Sequence, residues 1–509
     1  MQAEIDWLQQ LGTSEDDKSF AVVMDSDNKY IYVCGYVGGD LSDGSASSYW
    51  NPWVGKFYAK SGEQIWLQQL SHGEESEENS MGRDLAVDDD GVYVLIQIGT
   101  DDLTEADATG KTSVIKFNLD TGDQEWTYNF ESKDDAAQRP HSIGKDGNGY
   151  LYVTGFTAGS MLSPDGDPKE TTGTLDAWIA KLSTDPELNW IEQFGSDGSE
   201  SYSRDLTVDV SGNVYAVGYS TVESEDLEDI WITKYSSDGV YQWSQSLSST
   251  GDNQERAIGV AVDDSGGVYA TGFTYGNLKE FDLATSYNNY QAWIAKFQTS
   301  TGEQVWLDQF GDVADTFDVW MRGISVDNNG GVYIGGWTDG QFGDLEAVTS
   351  RDALVAKYNA YTGEQVWLKQ INSSDDNSDA AYNMSVGSNG SLYLTGITAG
   401  NISGIETSQG GDDIWIAQLR EAPQDHDELA QILKRYIDYK VSQSTETVLE
   451  ASDTTTTTTN SISDTSSSLL EVAADVVASD GNTDEDEEST AESPISVIGV
   501  VASLTGSES

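Results

Sequence analysis

The sequence predicts an all-β protein, a seven-bladed β-propeller of four-stranded blades, from a repeated tryptophan and the strand-like runs that follow each copy of it. The tryptophan recurs at intervals of 53 to 64 residues, which is the length of one four-stranded unit with its loops. The chain also has 51 Gly against 7 Pro, as expected for many tight turns between short strands. The repeated residues are Trp7, Trp66, Trp126, Trp190, Trp243, Trp306 and Trp367.

Each repeat contains four strand-like runs, which we name a, b, c and d. Strand a ends in Asp, as in residues 85–88, and strand b is rich in Tyr and usually ends in Gly, as in residues 269–272. Strand c alternates around Trp and Lys, as in residues 292–296, and strand d carries the repeated Trp. The Asp-x-x-Gly segments between a and b predict hairpin turns. We expect the repeated spacing to reflect blade geometry and the Trp residues to pack between blades.

The two ends of the repeated region predict how the ring closes. The chain begins on a strand d at Trp7, whereas the repeats end on a strand c at residues 414–419. One blade must therefore be shared, with residues 7–11 as the outer strand of a last blade whose other strands lie within residues 381–419. This closure removes the open edge that a linear stack of sheets would expose.

The repeat resembles the bacterial SBBP β-propeller repeat family over roughly residues 5–420. The resemblance is carried by the Asp-x-x-Gly turn, Tyr-x-x-Gly, Asp-Ala-Trp-x-x-Lys and Thr-Gly-Glu-Gln-x-Trp, the last intact at residues 301–306 and 362–367. It implies a secreted or cell-surface protein without an assigned activity. The Thr-Gly-Glu-Gln-x-Trp element is also similar to the repeat of pyrroloquinoline-quinone dehydrogenases, which usually have eight blades and an adjacent-cysteine disulfide. Both features are missing from this sequence.

The charge of the chain limits its partners. With 88 acidic and 25 basic residues the net charge is −63, which would repel nucleic acid and anionic lipid. We therefore expect no nucleic-acid partner, and no segment approaches the ~20 apolar residues that a membrane helix needs. The single Cys34 lies in an apolar run and is predicted to be a buried thiol. We expect a monomer.

Basic residues concentrate at two positions of the repeat. Six are lysines on strand c, and five are arginines near the start of strand a. One interpretation is a cationic ring at the channel mouth that binds an anionic ligand. Strand parity favours a structural role, because Arg83, Leu85 and Val87 share a face that should pack on a neighbouring blade. The arginines, Arg83, Arg139, Arg204, Arg256 and Arg322, are then predicted to form interblade ion pairs with Asp176, Asp229, Asp352 and Asp413.

Three tryptophans lie outside the repeat pattern, and we predict them as candidate ligand-stacking residues: Trp50, Trp320 and Trp337. The loops from d to a and from b to c are long and acidic and belong to one end of the propeller. We predict this acidic loop face as the interaction surface, for a protein, a glycan or a cation. Calcium is compatible with its carboxylates, with a solvated acidic surface as the alternative.

Sequence patterns for catalysis are weak. Only His72, His141 and His426 could serve a His-based triad or a zinc site, and no nucleophile elbow, phosphate loop or zinc-ligand spacing is present. We name no catalytic residue. The leading hypothesis is a non-catalytic binding protein, and the alternative is a quinone-dependent dehydrogenase or a carboxylate-dependent glycosidase on the same scaffold.

The composition changes after residue 420. Residues 421–445 contain a predicted amphipathic helix at 425–441, and residues 446–509 form an acidic, Ser/Thr-rich tail that cannot bury enough apolar surface to fold alone. The N-terminus has no classical signal-peptide pattern. By analogy with substrates of one-step bacterial secretion, we expect export to the extracellular space or cell surface through a C-terminal signal; a cytoplasmic location is the alternative.

Overall fold

The computed structural model describes most of the first 421 residues of the chain: 3–41, 46–70, 78–99, 109–222, 227–249, 254–279, 289–311, 317–327, 329–340, 342, 350–373, 377–402 and 410–421. Residues 1–423 form one compact unit and residues 424–509 a second. The predicted helix at 425–441 and the predicted tail lie outside the described residues.

The described residues form seven four-stranded antiparallel sheets, which confirms the predicted fold. We number the sheets as blades in chain order. Blade 1 is β2 (Asp17–Met24), β3 (Tyr30–Gly39), β4 (Ala46–Tyr58) and β5 (Gln64–Gln69); blade 2 is β6 (Ser80–Val87), β7 (Val92–Gly99), β8 (Gly110–Phe117) and β9 (Gln124–Asn129); blade 3 is β10 (Gln138–Lys145), β11 (Tyr150–Thr157), β12 (Asp176–Ser183) and β13 (Leu188–Phe194). Blade 4 is β14 (Ser199–Val208), β15 (Val214–Val222), β16 (Leu227–Tyr235) and β17 (Tyr241–Leu247); blade 5 is β18 (Glu255–Val262), β19 (Gly267–Thr274), β20 (Gln291–Gln298) and β21 (Gln304–Phe310); blade 6 is β22 (Val319–Val326), β23 (Gly331–Thr338), β24 (Asp352–Asn359) and β25 (Gln365–Ile371).

Blade 7 combines both ends of the repeated region, as predicted. It contains β26 (Asp379–Val386), β27 (Leu392–Thr398), β28 (Asp413–Glu421) and, from the N-terminus, β1 (Ala3–Leu11). The β1 strand pairs antiparallel with β28 from Ala3 opposite Glu421 to Leu11 opposite Ile414. The N-terminal strand therefore supplies the outer edge of the last blade and closes the ring.

The Asp-x-x-Gly segments form the predicted hairpin turns. In blade 5, the Asp263 carboxylate accepts hydrogen bonds from the backbone N–H groups of Ser265 and Gly267 at 2.9 and 2.7 Å. The same carboxylate accepts the hydroxyl of Tyr269 on strand b at 2.7 Å. The turn Asp and the strand-b Tyr of the repeat thus fix each other.

The repeated tryptophans connect each blade to the next. The Nε1 of Trp306 and the Nζ of Lys296 both donate to the carbonyl oxygen of Ala360 in blade 6, at 3.2 and 3.0 Å. Beneath that indole lies Gly363, whose φ of 72° and contact with Trp306 leave no room for a side chain. The equivalent Trp–Lys pairs of blades 1, 3 and 4 share a carbonyl of the next blade in the same way. Trp7 donates to Ala59, and Trp367 donates to the Glu421 carboxylate.

The hydrophobic core lies between neighbouring blades rather than in one centre. One cluster, for example, joins Tyr269 and Ile294 of blade 5 to Val332 and Leu354 of blade 6. The strand-c tryptophans Trp53, Trp178, Trp293 and Trp415 are fully buried. Cys34 is a buried free thiol, as predicted.

Candidate functional site: a cationic cavity on the propeller axis

Each innermost strand contains one β-bulge at the same place in the repeat. The pairing of strands a and b shifts by one residue, for instance between Gly82 and Asp84 in blade 2 and between Ser203 and Asp205 in blade 4. A bulge leaves one residue of its strand out of the ladder and redirects its side chain. The seven bulge residues, from blade 1 to blade 7, are Phe20, Arg83, His141, Arg204, Ile258, Arg322 and Tyr382.

The seven bulge residues line a single cavity of about 380 Å³. Because each innermost strand packs against the innermost strands of its two neighbours, and all seven contribute, the cavity lies on the propeller axis. Two further arginines line it: Arg256 of β18, and Arg351, which immediately precedes β24. Five of the chain's eight arginines therefore border one cavity, although the net charge of the chain is −63.

For Arg83, Arg204 and Arg322 this arrangement corrects the prediction that the strand-a arginines face a neighbouring blade. Arg256 does form an interblade ion pair, with Glu228 of blade 4. A regular strand would place Arg83 on the same face as Leu85 and Val87. The bulge inserts an unpaired residue, which breaks the alternation of side chains between the two faces of the strand. Four of the five strand-a arginines, Arg83, Arg204, Arg256 and Arg322, line the cavity, as the interpretation of a cationic ring predicts, whereas Arg139 is not among the lining residues. Three of the four carboxylates predicted as ion-pair partners, Asp176, Asp352 and Asp413, accept hydrogen bonds from Gln193, Gln370 and Gln10 of strands d.

Aromatic rings hold the cavity arginines in place. The guanidinium carbon of Arg322 lies 4.4 Å from the centre of the Tyr382 ring, and that of Arg351 lies 4.2 Å from the Trp337 ring. Arg256 lies 4.5 Å from Tyr219, and Arg83 lies 5.4 Å from Phe20. Guanidinium N–H groups bind planar or tetrahedral oxyanions; of those of Arg83, the Nε–H donates to Gln97 Oε1 at 2.7 Å.

The cavity arginines differ in their carboxylate partners. Arg256 forms an ion pair with Glu228, with Nη2 2.6 Å from Oε1. Within the described part of the chain, no ion pair involves Arg204 or Arg322. Burial, followed by the neighbouring Arg139, Arg322 and Arg256, lowers the pKa of Arg204 to about 10. The cavity therefore holds positive charge that the protein itself does not fully neutralise.

His141 adds a neutral acceptor rather than another cation. Burial and the surrounding arginines, Arg204 first among them, lower the pKa of His141 well below its usual value. Its Nε2 lies 3.1 Å from Nη1 of Arg204. Since the guanidinium can only donate, the histidine accepts this hydrogen bond and carries its own proton on Nδ1.

Two carboxyl groups also line the cavity, one residue after a bulge. Burial raises the pKa of Asp84 to about 6 and that of Asp205 to about 7. The Asp84 carboxylate accepts from the Ser142 hydroxyl and the Ile143 N–H of blade 3, each at 2.8 Å. Asp205 accepts from Val260 N–H of blade 5 at 2.8 Å. Both groups therefore bridge adjacent blades.

The structure brings two of the three candidate stacking residues into this cavity. Trp320 of β22 and Trp337 of β23 are cross-strand partners whose stacked rings lie 5.3 Å apart, and both line the cavity. Trp320 also contacts Phe273, with ring centres 3.7 Å apart. Trp50 lies outside the cavity lining and stacks on Tyr36 at 4.5 Å. Trp320 is therefore packed among three aromatic rings at the wall of the cavity.

The cavity reaches the end of the propeller that carries the predicted acidic loop face. Trp337 lies near the end of a strand b, and Arg351 lies at the start of a strand c. Much of that face, including residues 71–77 and 374–376, lies outside the described residues. Among the described residues, no group of three or more His, Cys, Asp or Glu side chains could hold a metal ion, so calcium binding stays a prediction. The described part of the chain also contains no helix long and apolar enough to cross a membrane.

Comparison with known proteins agrees with this architecture. Residues 189–224 and 305–343 match the family model described as SBBP, a β-propeller repeat, which confirms the resemblance predicted from the repeat. No curated protein matches the chain in sequence.

Among solved structures, BamB from Moraxella catarrhalis is similar at 13% identity and a TM-score of 0.36, over 78% of this chain and 85% of that one. Quinohemoprotein alcohol dehydrogenase from Comamonas testosteroni is similar at 10% identity and a TM-score of 0.43, over 83% and 78%. The polysaccharide lyase Uly1 is similar at 10% identity and a TM-score of 0.41, over 77% and 88%.

Proposed function

We propose that this propeller is a non-catalytic binding protein whose ligand is an anion held in the axial cavity. The observation that carries the proposal is that five of the eight arginines line one cavity of about 380 Å³, in a chain whose net charge is −63. Arginines scattered by chance on such a surface would pair with the abundant acids. Here Arg204 and Arg322 form no ion pair within the described residues, and aromatic rings contact Arg322 and Arg351.

The proposal keeps the predicted binding role but changes the ligand and the site. From sequence, the acidic loop face was the predicted surface for a protein, a glycan or a cation. The cavity lies at the centre of the same end and has the opposite charge. A glycan that carries acidic groups satisfies both the original prediction and the cavity, whereas a cation does not fit the arginine lining.

The enzyme alternative would need a free acid and base. Asp84 and Asp205 have the raised pKa values of such groups. Their oxygens, however, already accept backbone N–H groups that join adjacent blades, which favours a structural role. Turnover of an anionic polysaccharide by the purified protein, lost in Asp205→Asn, would support the alternative instead.

The experiment is a titration of the purified protein at pH 7.5 and constant ionic strength with sodium sulfate, sodium citrate and sodium D-glucuronate. Tryptophan fluorescence reports binding, since Trp320 and Trp337 line the cavity, and calorimetry confirms it. Arg322→Gln should weaken any observed binding about tenfold or more, because it removes a charge-assisted hydrogen bond.

Arg420→Gln is the matched control, because Arg420 is exposed and pairs with Asp6 on the outer strand of blade 7. It should bind like the wild type. If none of the three anions binds, or if the two variants behave alike, the proposed site is wrong. Circular dichroism and thermal unfolding verify that both variants are folded.

A further inference from the structure

The three bulge arginines are distributed around the axis in a pattern that selects a shape of anion. They belong to blades 2, 4 and 6, so they are two, two and three blades apart around the ring of seven. The bulge residues between them, Phe20, His141, Ile258 and Tyr382, carry no positive charge at neutral pH. The cations thus approach the axis from three sides at one level of the cavity.

This inference rests on the proposed function and narrows its ligand: we infer that the cavity binds a sulfate or phosphate ester with the oxyanion on the propeller axis. A tetrahedral ester group presents three equivalent oxygens around its bond to the rest of the molecule, one for each arginine. A carboxylate is planar and has two oxygens, so it can engage only two of the three sides. Guanidinium edges form strong hydrogen bonds with such oxyanions.

The rest of the ligand has a defined place. Blades 5 and 6 line one side of the cavity with apolar groups: Ile258, Phe273, Trp320, Met321 and Ile324. On this side the Nε1 of Trp320 is buried and has no hydrogen-bond partner in the described part of the chain. The strand-c tryptophans show both states: Nε1 of Trp53 donates to the Lys18 carbonyl, whereas the Nε1 atoms of Trp178 and Trp231 are, like that of Trp320, buried without a partner in the described part of the chain.

Together these features fit an ester whose alcohol part is compact and has apolar faces, as a pyranose does. Sugar sulfates and sugar phosphates both have these properties. The cavity of about 380 Å³ holds roughly one sugar ring with its ester group. Asp84 and Asp205 reduce the positive charge of the lining but do not cancel it, because five arginines line the cavity, and the oxygens of both carboxyl groups are directed to N–H groups of the next blade.

The test compares three sugars that carry the anionic group at the same carbon: D-glucose 6-sulfate, D-glucose 6-phosphate and D-glucuronate. The sulfate and the glucuronate have the same charge, so they differ in the geometry of the anion. We expect glucose 6-sulfate to bind at least about tenfold more tightly than glucuronate. The phosphate arm then shows which ester is preferred.

The variants Arg83→Gln, Arg204→Gln and Arg322→Gln test the threefold arrangement. Each should weaken ester binding by a similar factor of about ten, whereas Arg420→Gln should leave it unchanged. If glucuronate binds as tightly as the sulfate, or if only one of the three arginines matters, the inferred ester class is wrong although the anion site stands. If citrate binds but none of the three sugars does, the ester is equally refuted. If no anion binds at all, the proposed function falls with it.

Discussion

Substitution of Asp205 by Asn measures how much the ionised, buried carboxyl group in the cavity wall lowers the stability of the folded protein. Asp205 follows the bulge of blade 4, and the equivalent position of blade 7 is occupied by Asn383. The Asn383 side chain accepts the N–H of Val22 across the blade boundary, at 3.3 Å, as Asp205 accepts that of Val260, at 2.8 Å. The propeller therefore already accommodates Asn in this role.

The size of the expected change in stability follows from the raised pKa of the Asp205 carboxyl. Burial shifts the pKa of Asp205 from the usual 3.8 to about 7, which corresponds to a cost of about 4 kcal/mol for the ionised form. Asn avoids this cost but loses one charged acceptor, for example of the Leu206 N–H, at about 1.5–3 kcal/mol. We expect a net stabilisation of about 1–2 kcal/mol above pH 7.

The difference in stability between Asp205→Asn and the wild type depends on pH. Below pH 3.8 the carboxyl is neutral in both the folded and unfolded protein, so it imposes no ionisation cost. As the pH rises through the interval up to about 7, the unfolded chain ionises first and the wild type loses stability relative to the variant. The advantage of Asp205→Asn should grow between pH 4 and 7 and remain constant above that.

Urea unfolding followed by tryptophan fluorescence at pH 4.5, 6 and 8 measures the difference, and Asp89→Asn, in an exposed turn, controls for the change in net charge. The Asp205→Asn variant should also bind the cavity anion more tightly, since one negative charge is removed from the lining. A loss of stability at every pH, or a gain independent of pH, would refute the assignment of Asp205 as a buried, destabilising acid.

Three further predictions concern the scaffold and the tail. Deletion of residues 1–11 removes β1 and exposes the edge of β28, so blade 7 should be cleaved by limited proteolysis well before the others; an unchanged digestion pattern would contradict the closure. Gly302→Ala should lower the free energy of unfolding in urea by about 2 kcal/mol or more, because φ at Gly302 is 75° and a Cβ would lie 2.7 Å from Trp243. Gly147→Ala is the control: its Cβ would meet nothing within 4 Å, so the free energy of unfolding should fall by less than about 0.5 kcal/mol. A reporter fused to the last ~60 residues should be exported by a host with one-step secretion, and its retention in the cytoplasm would refute the predicted C-terminal signal.

The architecture could be predicted because the signals that determine it are local and repeated. The spacing of the tryptophans sets the length of a blade, and the Asp-x-x-Gly turn fixes the hairpin between strands a and b. The different strand types at the two ends of the repeated region require the shared blade. Each of these is a short-range pattern that tertiary packing does not override.

The site could not be predicted because it depends on one inserted residue per strand. A β-bulge leaves no mark in the hydrophobic alternation of residues 80–87, yet it directs Arg83 into the cavity. Arg351 belongs to no repeat position and reaches the cavity only through the loop that precedes β24. The available signal was the charge distribution, since arginines at a single repeat position are unexpected in so acidic a chain.

The most direct test of the anion site is a crystal of the protein soaked in sodium selenate, measured at the selenium absorption edge. Selenate has the tetrahedral shape of a sulfate group, and its anomalous scattering identifies its position without ambiguity. We predict a peak on the propeller axis within hydrogen-bond distance of Arg83, Arg204 and Arg322. Selenate bound only at surface residues, with an axial cavity that contains none, would contradict the site.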